Sequence, residues 1–99
     1  MSSVNLEIVK QKCELPNGDL IVLLDREKVE KNTQQHNVYR ISANGSVQWQ
    51  VADYQTMPAL STFTNIKLIG EYIEAYNFDG GMYKVSVEDG SILGSELMR

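Results

Sequence analysis

The chain contains 99 residues, 42% of them hydrophobic and 22% charged, which is the length of one domain, 1–99, with one modest core. Nine lysines and arginines stand against thirteen acids, so the net charge is −4. Such a surface repels phosphate backbones, which makes nucleic acid a poor candidate partner and a basic protein a better one.

Targeting and membrane-spanning signals are not recognisable in the sequence. No stretch reaches the roughly 18 consecutive apolar residues that span a bilayer, so we expect no membrane association. The N-terminus has neither the basic nor the apolar region of a signal peptide, and Cys13 is the only cysteine. A lone cysteine cannot form an intrachain disulfide, which agrees with a reducing compartment. We therefore expect a cytoplasmic protein.

The first half of the chain predicts four β-strands. Strand candidates at 4–9 and 19–25 are joined through the turn-forming residues 15–18. The polar stretch 27–36 is interpreted as an exposed, elongated hairpin loop, with a helical turn as the alternative. The hairpin 38–51 follows, because Asn-Gly at its centre supplies the positive φ values that a tight connection between antiparallel strands requires.

The second half predicts four more strands after a linker at 54–62, where Pro58 argues against a central strand. Strand candidates at 65–69 and 72–78 precede a hairpin at 82–97 that turns at Asp-Gly. The strand at 72–78 alternates small aliphatic and aromatic residues. It would present its aromatic face outward if the aliphatic face lies in the core; the alternative is a central strand that is buried on both faces.

The two halves echo one another. Tyr-Arg-Ile-Ser at 39–42 leads into Asn-Gly-Ser, and Tyr-Lys-Val-Ser at 83–86 leads into Asp-Gly-Ser. We therefore predict an all-β fold of two four-stranded antiparallel meander units, at about 4–53 and about 63–98. The units are expected to pack as a sandwich or a flattened barrel.

The run 39–49, which ends in Trp49, resembles the hairpin of quinoprotein-type β-propeller blades. The second unit departs from that pattern, because Gly94 stands near the place of the tryptophan. The resemblance implies a half-propeller-like fold, yet two blades are too few to close a ring, which needs at least about four. One functional hypothesis is thus a propeller fragment that homo-oligomerises into a ring and binds a small ligand or sugar.

Catalytic chemistry has little support in the sequence. His36 is the only histidine, and we interpret it as a solvated surface residue. Asp79 and Asp89 lie in predicted turns, where an aspartate caps its own backbone. A hydrolase with paired carboxylates, Glu71 and Glu74, is a third hypothesis. We predict no catalytic residue, no cofactor and no metal site, and hence no enzyme.

The segment 75–92 is similar to one shared by short acidic bacterial immunity proteins, including those of contact-dependent inhibition systems. That resemblance implies a non-catalytic inhibitor that neutralises a basic toxin such as a nuclease. In this leading hypothesis, acidic residues steer the partner and tyrosines anchor it. The predicted partner-binding residues are Asp25, Glu27, Glu30, Asp53, Tyr54, Glu71, Tyr72, Glu74 and Tyr76.

Overall fold

The computed structural model describes residues 4–54 and 62–97. Within them, the chain forms two four-stranded antiparallel sheets, each with its strands in sequence order. The first sheet contains β1 (Val9–Glu14), β2 (Leu20–Leu24), β3 (Val38–Ile41) and β4 (Val47–Gln50). The second contains β5 (Phe63–Ile69), β6 (Tyr72–Asn77), β7 (Gly81–Ser86) and β8 (Ile92–Leu97). The predicted all-β fold of two meander units is confirmed.

The sheets pack face to face around a shared core. Strand alternation produces this arrangement, because every second side chain of a strand points to the same side of its sheet. The core draws on both sheets and on the chain just beyond their strands. Its buried members are Leu15, Ile21, Leu23, Val38, Trp49, Val51, Phe63, Ile66, Ile73, Ala75, Tyr83 and Val85.

The sheets also approach one another at both sides, which gives the sandwich a flattened-barrel character. On one side β1 lies beside β5, where the side-chain oxygen of Gln11 accepts a hydrogen bond from the Ile66 N–H at 2.8 Å. On the other side the Ala52 N–H donates to the carbonyl oxygen of Gly90 at 2.9 Å.

The outer face of the first sheet forms a second, smaller core. Val22, Leu24 and Ile41 are buried there, and the N-terminal residues Val4 and Ile8 are among those that pack on them. Burial on both faces explains why β2 is a continuous apolar run and not an alternating one.

Two segments differ from their predicted structure. The strand predicted at 4–9 is wrong: a 3-10 helix occupies Leu6–Ile8, with the side chain of Asn5 accepting from the Glu7 N–H, and the strand begins at Val9. For 27–36 the structure has the alternative, a helical turn, and not the favoured loop: this connection contains a 3-10 helix at Arg26–Lys28 and a short helix, α1 (Lys31–Gln34). In both cases a side-chain cap at the start of a turn, which Asp25 provides in the second, decides against an extended chain.

Among the described residues, no helix is both long and apolar enough to cross a membrane.

Candidate partner-binding surface

The outer face of the second sheet presents two tyrosines with a carboxylate between them. Along β6, Ile73 and Ala75 are fully buried in the core, whereas Tyr72, Glu74 and Tyr76 on the opposite face are partly exposed. Of the two arrangements that the sequence left open for this strand, the structure has the one whose aromatic side faces outward. We name these three residues the β6 outer face.

Hydrogen bonding and charge set the chemistry of the β6 outer face. The Tyr76 hydroxyl donates to Glu74 Oε1 at 3.2 Å, and this bond to the carboxylate, followed by burial and by the charge of Glu74, raises the pKa of Tyr76. Lys84 Nζ lies 5.4 Å from the ring centroid of Tyr72, a cation–π contact. Cross-strand register places Glu74 between Lys67 and Lys84. The face therefore combines aromatic area with charges of both signs.

A cleft of about 610 Å³ adjoins the β6 outer face at the turn end of the sandwich. Tyr72 belongs to both features, and Glu71 and Glu88 contribute carboxylates to the lining of the cleft. Apolar residues, including Leu15 and Leu93, complete the lining. Glu71, Tyr72, Glu74 and Tyr76 are thus brought together by the structure, as one continuous surface.

Arg40 joins the two sheets behind this cleft. Its guanidinium lies 2.9 Å from Asp19 and donates to the carbonyl oxygen of Val87 at 2.9 Å. The same carbonyl accepts from the Trp49 indole N–H at 2.8 Å. Because the Arg40 side chain is only 17% exposed and already paired, we assign it a structural role.

The acids of the β2–β3 connection are locally neutralised, and the connection reaches the end of β6, where the Arg26 guanidinium lies 5.7 Å from the centroid of the exposed Phe78 ring. Glu27 and Glu30 are exposed, and the side chain of Asp25 accepts from the Glu27 N–H as a helix cap. Three bases alternate with these three acids. They are Arg26, Lys28 and Lys31.

Charge is distributed unevenly between the two halves of the chain. Residues 1–50 contain six acids and six bases, whereas residues 51–99 contain seven acids and three bases. The whole net charge of −4 is therefore carried by the second half. Counting each half separately would have found this asymmetry from the sequence.

Asp53 and Tyr54 lie in a third place, beside the single histidine. His36 Nε2 lies 2.8 Å from an Asp53 carboxylate oxygen, and the His36 side chain is only 24% exposed. The prediction of a solvated histidine is thus wrong. The centroid of the Tyr54 ring lies 5.0 Å from that of Phe63 and 4.8 Å from that of Tyr83. This predicted anchor is therefore part of an aromatic cluster at the margin of the core.

Turn chemistry accounts for two further acids. Asp79 accepts hydrogen bonds from the Gly81 N–H and the Tyr83 hydroxyl, both at 2.7 Å. Asp89 accepts from Ser91, whose side chain and N–H lower the pKa of the Asp89 carboxyl. In the described part of the chain, no three histidine, cysteine or acidic residues cluster in a way that could hold a metal ion.

The fold and this surface define a small all-β sandwich whose second sheet has an aromatic outer face with charges of both signs. Residues 3–97 match the family model described as "Domain of unknown function (DUF7957)", and the chain belongs to that family. No curated protein matches the sequence significantly.

Proposed function

We propose that the chain is a non-catalytic protein-binding module that captures a basic partner, and that this partner is a cationic toxin, such as a nuclease, which the chain neutralises. The observation that carries the proposal is the β6 outer face. Tyr72, Glu74 and Tyr76 remain partly exposed there, on the half of the chain that holds the net negative charge. Tyrosine is a favoured interface anchor because it combines apolar area with a polar tip.

Electrostatics supports a basic partner over a neutral one. An acidic surface speeds the encounter with a cationic protein and disfavours anionic competitors. A nuclease groove that holds a phosphate backbone is itself basic, so an acidic surface such as the turn-end cleft with Glu71 and Glu88 complements it. The resemblance of 75–92 to bacterial immunity proteins supports the same proposal, in which the encounter takes place in a bacterial cytoplasm.

The contrast between the two groups of acids provides a sharp test. Glu71 lines the turn-end cleft and Glu74 lies on the β6 outer face, whereas Glu27 and Glu30 lie in the β2–β3 connection. The tagged chain is used to capture its partner from the native cell, and the affinity is then measured for the E71K/E74K and E27K/E30K double variants. Both variants change the net charge by the same amount, so the second is a matched control for the first.

We expect one basic protein to co-purify stoichiometrically. The E71K/E74K variant should weaken its binding by about tenfold or more and flatten its salt dependence, while E27K/E30K should change both little. Equal effects of the two variants would contradict the assignment of the surface. A captured partner that is acidic, or no partner at all, would contradict the proposed function.

Light scattering of the isolated chain addresses the alternative function, a propeller fragment that closes a ring by homo-oligomerisation. A folded monomer argues for the binding module, because two units cannot complete a ring alone. A ring of several copies would favour the small-ligand or sugar-binding alternative instead.

A further inference from the structure

The edge strands of the two sheets differ in how they are protected against pairing with other chains. Edge strands present unpaired N–H and C=O groups, and proteins guard them with lysines, bulges, short length or cover. β1 carries Lys10 and Lys12 and has an irregularity between Val9 and Gln11. On β5, the Ile66 N–H donates a hydrogen bond to the side chain of Gln11 from β1. The fourth edge strand, β4, is only four residues long.

β8 is guarded less: its one irregularity lies at Leu93, between Ile92 and Gly94. In the part of the chain that the structure describes, β8 pairs with β7 alone, and the register from Gly94 to Leu97 is regular. The strand contains no lysine, arginine or proline. Leu93 is 59% exposed, and a Cβ placed on Gly94 would have no neighbour within 4 Å. The described residues therefore leave the sheet face uncovered at Leu93 and Gly94.

A cleft of about 450 Å³ lies beside this edge. Ile92 and Ser95 of β8 form one part of its lining, and Asp53, Tyr54 and Tyr83 form the other. The Asp53 side chain is fully exposed, so its carboxylate is accessible even though it pairs with His36. A carboxylate next to tyrosine rings is a suitable environment for a guanidinium or an ammonium group.

The charges around the edge favour a basic occupant. Residues 85–97 contain the acids Glu88, Asp89 and Glu96 and no lysine or arginine, and the nearest base in the sheet is Lys84, which lies opposite Gly94 on β7. Asp53 adds a fourth acid across the cleft. A second copy of the chain would bring the same acids to the edge, and like charges would then oppose pairing.

We infer that an extended basic segment of the partner pairs with β8 as an additional strand and places an arginine or lysine side chain in the cleft at Asp53. In strand addition, main-chain hydrogen bonds supply affinity, and pockets for alternate side chains supply specificity. The inference rests on the proposed function, because the segment belongs to the same basic partner.

Capped peptides matched to β8 in length test the inference directly. The probe alternates valine and arginine, and two controls replace arginine by glutamate or methylate alternate backbone nitrogens. Titrated into the labelled chain, the arginine peptide should shift the amide resonances of Ile92 to Glu96 and of Asp53, with a dissociation constant on the order of millimolar. The glutamate peptide should cause no shift, and methylation on the pairing side should abolish binding.

Two exposed leucines provide matched variants of the protein. Leu93 and Leu6 are 59% and 57% exposed, but only Leu93 lies on β8. Because Leu93 also lines the turn-end cleft, loss of the shifts at Asp53 and Ser95 must accompany the loss of affinity. L93K places a positive charge on the edge strand and should lower the affinity for the arginine peptide by about tenfold. L6K should leave that affinity within about twofold of the wild-type value. The inference is overturned if the arginine peptide does not bind, if the N-methylated peptides bind equally well, or if both variants behave alike.

Hydrogen exchange in the captured complex separates this inference from the proposed function. Protection of the β8 amides on partner binding supports strand addition. Binding of a basic partner with unchanged exchange along β8 overturns strand addition but leaves the proposed function in place. Failure to capture any basic protein contradicts the proposed function itself.

Discussion

Asn37 holds the backbone of Phe63 through both edges of its side-chain amide. Its Nδ2 donates to the Phe63 carbonyl oxygen, and its Oδ1 accepts from the Phe63 N–H, each at 3.0 Å. The same Nδ2 donates to the carbonyl oxygen of Leu24 at 2.9 Å. Asn37 is fully buried, so one side chain links the start of the second sheet to the end of β2 in the first.

Replacing Asn37 by alanine should destabilise the fold by about 3 kcal/mol, because three buried hydrogen bonds are lost and backbone groups of Phe63 are left unpaired. Denaturant unfolding measures the loss. Asn65 is exposed on β5 and provides the control: N65A should change the free energy of unfolding by less than about 0.5 kcal/mol. Similar values for the two variants would show that the Asn37 link contributes little.

Gly90 and Trp49 pack in direct contact, which ties the second hairpin turn to the first sheet. A Cβ on Gly90 would lie 2.6 Å from a carbon of the Trp49 ring, and Gly90 has a φ of +77°. Gly18 has a φ of +93° but open space around it. G18A should therefore cost about 1 kcal/mol from backbone strain alone, whereas G90A should cost about 3 kcal/mol because the ring must also move. Thermal unfolding of both variants checks the difference.

Periodicity and turn residues were sufficient to predict most of this fold. Asn-Gly and Asp-Gly mark the hairpins at 38–51 and 82–97, and strand alternation marks β5 and β6. The segment 4–9 was mispredicted because its alternating apolar residues also suit a capped turn that covers the outer face of a sheet. Alternation cannot distinguish a strand from a capped turn here, since the difference depends on which residues cover the outer face of β2. Most of the linker predicted at 54–62 falls outside the described residues.

The candidate surface could be predicted only in part. Alternation in β6 is enough to place Tyr72, Glu74 and Tyr76 on one face, but not to decide whether that face is covered. The position of Tyr54 depends on contacts with Phe63 and Tyr83, which are distant in sequence, so its structural role had no local signal. Nor could the sequence show that Asp53 would meet His36 and face β8 across a cleft.

The hydrogen bonds from Ser91 to Asp89 should make the protein sensitive to acid. These bonds lower the pKa of the Asp89 carboxyl in the folded state. Their contribution to the free energy of unfolding is therefore fully present above the unfolded-state pKa of about 3.9, and it is lost as the pH falls through the folded-state pKa. Carbon-detected NMR titration should find an Asp89 pKa below that reference in the wild type. It should rise towards the reference in S91A, while S95A leaves it unchanged. An ordinary Asp89 pKa in the wild type would contradict this assignment.

Tyr54 and Tyr76 should respond differently to removal of their rings. Tyr54 packs on two core aromatics, and its hydroxyl accepts from Asn77 Nδ2 at 3.0 Å, so Y54A should destabilise the fold by about 3 kcal/mol. Tyr76 lies on the β6 outer face and contacts Glu74, so Y76A should cost less than about 1 kcal/mol. Chemical denaturation provides both values.

For partner binding we expect the opposite order: Y76A should have the larger effect and Y54A the smaller one, when each variant is measured under conditions where it is folded. Y76A should weaken capture of the basic partner by about tenfold, because an exposed tyrosine anchor is removed from the proposed interface. Y76F keeps the ring but loses the hydrogen bond to Glu74, and it should retain most of the affinity if apolar area is the main contribution. Full affinity in Y76A would remove the β6 outer face from the interface and leave the β8 edge as the surface to examine.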